Sequence, residues 1–181
     1  MNKIVISTAA KVNLFLKVLT GEINGFHHVE TLYQSIDLRD RITIEIGGEA
    51  IVLQTTGIDS PQGKDNLVLK AAAAYFEASG VDSPISIKLD KRIPIGAGLG
   101  GGSADAAAVL YGLNVLFEEK LSNADLVRVA GSVGSDVPFA LSGGTALGWS
   151  RGCRLLTLSP LPSWPILISI PDLQVSTADA Y

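Results

Sequence analysis

The chain has 181 residues, of which 47% are hydrophobic and 18% charged, and a formal net charge of −4. A chain of this size buries about 70% of its unfolded surface in a core, while the acidic balance and the lack of a basic run exclude a nucleic-acid footprint. No apolar stretch nears the ~20 residues of a membrane span, and a lone cysteine, Cys153, with no export-type start, excludes an internal disulfide and points to the cytoplasm.

In chain order, Ile4 to Ser7 and Val12 to Val18 read as strands. Ile42-Thr43-Ile44-Glu45-Ile46 alternates clearly, and Ile51 to Thr55 follows across Gly47-Gly48-Glu49-Ala50, which predicts a hairpin. Asp65-Asn66 caps a predicted helix that runs to about Ser79, where Gly80 stops it. Ile85 to Leu89 alternates as a strand, the glycine-rich run Pro94 to Ser103 follows, and a helix starts near Gly102 with small residues first and Leu110 and Leu113 later. Ser122-Asn123-Ala124-Asp125 opens another helix to about Val133. Pro165 to Pro171 reads as a short apolar strand. Strands followed by helices, without strict βαβ alternation, predict an α+β layered fold.

Five glycines fall between Gly96 and Gly102, and they run straight into the alanine-rich helix. Glycine lets the backbone approach an anion and take up positive φ, and the first helical turn offers N–H groups at the positive end of the helix dipole. That combination predicts a phosphate cradle. No lysine follows the last glycine, so it is not a Walker A loop. Gly96-Ala97-Gly98-Leu99-Gly100-Gly101 matches a dinucleotide fingerprint as a string, but the acidic residue due about 20 positions later falls at Glu118 or Glu119, on a helix end rather than a second strand. A flexible linker is a poor reading between a strand and a strong helix.

Taken alone, other candidates stay ambiguous. Asp136 before Val137-Pro138 reads as a turn aspartate as readily as a general base, and Lys11 reads as a snorkelling surface lysine. His27 and His28 point to opposite faces of a strand and gather no acidic partners, against a metal pair. Cys153 has no base near it in sequence.

Three ordered segments carry a family resemblance: Ala9-Ala10-Lys11-Val12-Asn13-Leu14-Phe15-Leu16, Pro94 to Ala104, and Gly134-Ser135-Asp136-Val137-Pro138-Phe139. Together they resemble the GHMP kinases over nearly the whole chain. The resemblance implies a ribosomal-protein-S5-domain-2-like fold, with residues 1–160 as the N-terminal, ATP-binding and catalytic domain and 161–181 as the beginning of a C-terminal domain whose remainder is absent. The expectation is a chain cut short, whose own activity is open.

The resemblance also implies site residues. Pro94, Ile95, Gly96, Ala97, Gly98, Leu99, Gly100, Gly101, Gly102, Ser103 and Ala104 would cradle ATP, with the Ser103 hydroxyl reaching a phosphate or Mg2+, an ion held mainly by the nucleotide phosphates. Asn66, Leu67 and Lys91 would line the adenine pocket. Asp136 would be the catalytic base and Lys11 the cation beside it. Gly25-Phe26-His27-His28, Lys91-Arg92-Ile93-Pro94 and Ser135 to Pro138 fit the branch serving isoprenoid-precursor biosynthesis, whose small-molecule acceptor alcohol carries cytidine diphosphate. There Phe26 would stack on the cytosine, His27 would hydrogen-bond its edge, and Asn13, Thr177 and Tyr181 would complete the substrate contacts. The alternatives are a GHMP kinase of the homoserine or mevalonate type and a catalytically silent nucleotide-binding fragment. An S5-like RNA-binding domain is disfavoured by the negative charge. Oligomeric state is not legible.

Overall fold

Residues Lys3–Gly21 (β1) and His27–Ile46 (β2) form one long antiparallel pair, from Lys3 opposite Glu45 to Gly21 opposite His27. The computed structural model of the chain describes residues 1–21, 27–58, 61 and 63–171. The two short strands expected at 4–7 and 12–18 are thus one, and the strand read at 42–46 extends back to His27. Register shifts between Ala9 and Lys11 and between Asn13 and Phe15 bracket Lys11 and Asn13. Such irregularities re-aim side chains, and residues two apart share a face.

β2 is the spine of the sheet. Arg41 to Ile46 pairs antiparallel with Ile85–Lys91 (β4), and Val29 to Gln34 pairs antiparallel with Thr145–Ser150 (β5), which carries Arg154–Thr157 (β6) on its far edge. The expected hairpin does not form. Val52–Gly57 (β3) lies parallel to β4 on the side away from β2, so the order is β3-β4-β2-β5-β6 with β1 along the other edge of β2. The turn at 47–51 therefore carries the chain past the position that β4 takes.

Between β3 and β4 runs helix α1 (Leu67–Ser79), entered through a short 3-10 turn at Gly63–Asp65, capped by the Asn66 side chain on Val68 N and closed by Gly80 in the left-handed region at φ 67°. Helix α2 (Gly101–Leu116) is the centre of the core. Its Val109, Leu110 and Leu113 share one apolar cluster with Ile42 and Ile44 of β2, Ile85, Ile87 and Leu89 of β4, Val68, Ala72 and Tyr75 of α1, and Leu126, Val129 and Ala130 of α3 (Asn123–Val133). A Cβ at Gly112 would stand 2.7 Å from Ile44 Cδ1 and 2.8 Å from Ile6 Cδ1, so glycine sets how closely α2 lies on the β1–β2 pair. Ser122 caps α3 by accepting from Asp125 N, as the sequence predicts. The short α4 (Val137–Ser142) then leads into β5.

Residues 165–170 are not a strand. Ile168 instead packs on the small cluster of Ala10, Ile93 and Leu99. Among the described residues no helix is long and apolar enough to cross a membrane.

Candidate active site

β4 leaves β2 after the pair Arg41–Asp90, and β5 joins it only at Gln34. The glycine loop packs beside that interval, where Ala97 and Leu99 share a small apolar cluster with Ile36 and Leu38. Gly96, Gly98 and Gly100 take φ of 73°, 71° and 68°, the left-handed region that residues with a side chain seldom enter. Gly100 is the N-cap of α2 and contributes no side-chain cap, so the N–H groups of Gly101, Gly102 and Ser103 open the helix without an acceptor within it. They border a cavity of about 400 Å³ that is lined by Pro94 to Ser103, Asn66, Leu67, Leu89, Lys91 and Asp105. The predicted loop and adenine-side residues thus meet in one cavity. A backbone N–H cradle at a helix start fits a phosphate group.

Two members of the predicted set act differently from expectation. Ala104 is off the cavity wall: it is 1% exposed, its N–H donates to Gly100 O, and its carbonyl accepts from Thr8 Oγ1. It therefore has no donor left for a phosphate. Lys91 lines the cavity, but its ammonium is committed elsewhere. Asn66 keeps its place in the wall while its amide group accepts from Val68 N and donates to Pro61 O.

Lys91 Nζ lies 2.5 Å from Asp40 Oδ2 and 2.7 Å from Asp105 Oδ2, with 2%, 0% and 3% of the three side chains exposed. Asp40 Oδ1 also accepts from the backbone N–H groups of Arg92 and Ile93. Asp105 Oδ1 is buried without a partner. One lysine faces two carboxylates here, and burial pushes the Asp105 carboxyl up to about 7 against the opposing pull of Lys91.

The second cluster opens toward solvent. Lys11 Nζ stands 3.2 Å from Asp136 Oδ2, and Tyr33 OH donates to Asp136 Oδ1 at 2.9 Å. Asp136 lies in the turn before α4, and its side chain makes no cap hydrogen bond there. Lys11 Nζ donates to Asn13 Oδ1 at 2.7 Å, and Asn13 Nδ2 in turn donates to Thr31 Oγ1. The ammonium also lies 5.6 Å from the centre of the Tyr33 ring, which stacks on Phe139 at 4.6 Å. The backbone links the two regions, because Lys11 N donates to Leu99 O at 2.9 Å.

The structure thus brings Lys11, Asn13 and Asp136 together beside the glycine loop. Phe26, Thr177, Tyr181 and the side chain of His27 lie outside the described residues. Asp40, Asp105, Tyr33 and Thr31 are site residues that the sequence reading misses. Asp105 had a signal, as the one acid in an otherwise apolar helix start. Among the described residues no group of three or more His, Cys, Asp or Glu is placed to hold a metal ion.

Residues 66–144 match the GHMP kinases N terminal domain. The chain is 46% identical, over 182 aligned residues, to the 4-diphosphocytidyl-2-C-methyl-D-erythritol kinase of Moorella thermoacetica, an alignment that takes in 100% of this chain and 63% of that protein. A crystal structure of a 4-(cytidine 5'-diphospho)-2C-methyl-D-erythritol kinase superposes with a TM-score of 0.72 at 40% identity, covering 86% of this chain and 55% of that one. The homoserine kinase of Cytophaga hutchinsonii, at 24% identity and a TM-score of 0.59 over 81% of this chain and 48% of its own, shares the fold. The chain spans less than two thirds of the length of the curated relatives it matches.

Proposed function

The chain belongs to the GHMP kinases through its N-terminal domain, and from that premise we propose that it is the nucleotide-binding and catalytic part of a cytoplasmic kinase that phosphorylates the 2-hydroxyl of 4-diphosphocytidyl-2-C-methyl-D-erythritol in isoprenoid-precursor synthesis. On this reading residues 1–160 form the N-terminal domain and 161–181 begin the next. The observation that carries it is the Asp136 carboxylate, turned from its own helix toward Lys11 and Tyr33 and tied by the Lys11 backbone to the glycine loop. The α+β architecture agrees, and the similarity to two proteins of this name narrows the acceptor.

In the mechanism the N–H groups of Gly101, Gly102 and Ser103 bind the phosphates, while Leu67 and the wall around Asn66 take the base. Bound ATP would supply the phosphoryl group, and Mg2+ would be held mainly by its phosphates, with the Ser103 hydroxyl in the same wall, and would offset their charge. Asp136 receives the proton of the acceptor hydroxyl. Tyr33 holds Oδ1, which leaves Oδ2, the oxygen beside Lys11, to take the proton. Lys11, held in place by Asn13, offers its positive charge to the oxygen as it loses that proton. Phe26, His27, Thr177 and Tyr181 are assigned to the cytidine end, with Asn13 nearest the reacting hydroxyl.

ADP release should require the cytidine substrate when measured on the chain completed with the C-terminal portion its relatives carry. Turnover of homoserine or mevalonate instead would reassign the acceptor. ATP binding to this 181-residue chain without turnover in the completed one would leave only a nucleotide-binding module. Calorimetric titration that shows no ATP affinity would end the reading altogether.

A further inference from the structure

We infer that the sealed Lys91–Asp40–Asp105 cluster presets the phosphate loop, holding both of its ends at a fixed spacing before any nucleotide arrives. The inference rests on the loop being the phosphate cradle. Asp40 sits on β2 and grips the loop entry, since its Oδ1 accepts from Arg92 N at 2.6 Å and Ile93 N at 2.8 Å. Asp105 sits in the first turns of α2, at the loop exit. Lys91 joins the two through bonds of 2.5 and 2.7 Å. Across the segment between the clamped ends, Pro94 to Gly100, Leu99 O accepts from Lys11 N and Gly100 O accepts from Ala104 N of α2.

Packing adds to the clamp. A Cβ on Gly101 would lie 2.8 Å from Lys91 Nζ and 2.8 Å from Ile93 Cγ2, while a Cβ on Gly100 would lie 2.9 Å from Lys11 Cγ. The helix start is therefore pressed against both lysines, and its N–H groups are aimed by them. A loop with five glycines is otherwise costly to order. A preset loop lowers that ordering cost when phosphate binds. Lys91 and Asp105 act here as positioning residues, without touching the reacting atoms.

Asp105→Ala is the cut. It severs the link to α2 but leaves the Lys91–Asp40 ion pair and its two backbone bonds whole. Asp105→Leu, which fills the space, is the second cut should the alanine variant fail to fold. Asp105→Asn is the repair, because its amide oxygen still accepts from Lys91. ATP titrated calorimetrically into each folded chain, well below its melting temperature, should bind roughly tenfold more weakly to the cut variants and within about twofold of the parent to the asparagine variant. Amide hydrogen exchange at 96–102 without nucleotide should quicken in the cut variants alone. Parent-like ATP affinity in a folded cut variant, or an asparagine variant as weak as the cuts, would overturn the clamp. Loss of ATP binding by the parent chain would instead overturn the cradle.

Discussion

Lys11 and Asp136 meet at 3.2 Å with 12% and 29% of their side chains exposed, whereas Lys91 meets two aspartates at 2.5 and 2.7 Å with at most 3% of any side chain exposed. The residue types are the same, and both groupings press on the glycine loop. Access to solvent divides them. An open pair can be parted by an incoming hydroxyl, which is what the proposed mechanism asks of Lys11 and Asp136. A sealed cluster is too costly to part, because each freed charge would stand in a low-dielectric interior, so it serves as a fixture. The charge balance differs too: one to one in the open pair, one cation to two carboxylates in the sealed cluster.

The sharpest way to break this contrast is Lys91→Met. It strands two carboxylates in the core and should lower stability by about 3–5 kcal/mol, read as a fall in the denaturation midpoint; an unchanged midpoint would mean that the cluster is not sealed. A pH titration of stability tests the same cluster without mutation. The folded carboxyl of Asp105 is raised to about 7 from an ordinary 3.8. Its contribution is therefore fully present below about pH 4 and lost as the pH rises through about 7. Asp105→Asn should flatten the curve in that window, and a curve unaltered by the substitution would refute the assignment.

The open pair should respond in rate instead. In the completed protein, Asp136→Asn is expected to lose two or more orders of magnitude in kcat, the usual worth of a general base, with little change in melting temperature. Near-normal turnover would return Asp136 to a purely structural part. Lys11→Met should act similarly, and the double variant should lose less than the sum of the two, as for residues acting as one unit. The smallest effect is expected from Tyr33→Phe, roughly tenfold in kcat, in line with the loss of one hydrogen bond to a charged group. Equal kcat in the phenylalanine variant would show that the stack on Phe139 alone positions Asp136.

Local signals made part of this legible. The cap at Asn66, the stop at Gly80, the cap at Ser122 and the glycine run each follow from a few adjacent residues, and each lies where it was expected. The long β2 did not show itself because its partners change along its length: one half faces β4 and the other β5, so no single alternation runs through it. The false hairpin at 47–50 has the same root. Nothing between β2 and β3 says that β4, more than 25 residues on, will lie between them. Asp40 sits in Leu38-Arg39-Asp40-Arg41, which reads as a solvated charge run, yet Asp40 is 1% exposed. Its burial is decided by Lys91 and the loop entry, 51 residues or more further on. Tyr33 was hidden with the strand that carries it.

Lys11 belongs to both halves of the chemistry at once. Its main chain donates to Leu99 in the loop, and its side chain ends at Asp136. On the proposed mechanism, the span from the backbone that would hold phosphate to the carboxylate that would accept the proton is gauged by the reach of a single residue, from amide to ammonium. Through the bond to Leu99, a shift of the loop would be passed on to Lys11. Methionine at position 11 would erase only the far mark. Proline there would remove the near one, and the loop would lose its alignment with the base even though every other group remained in place.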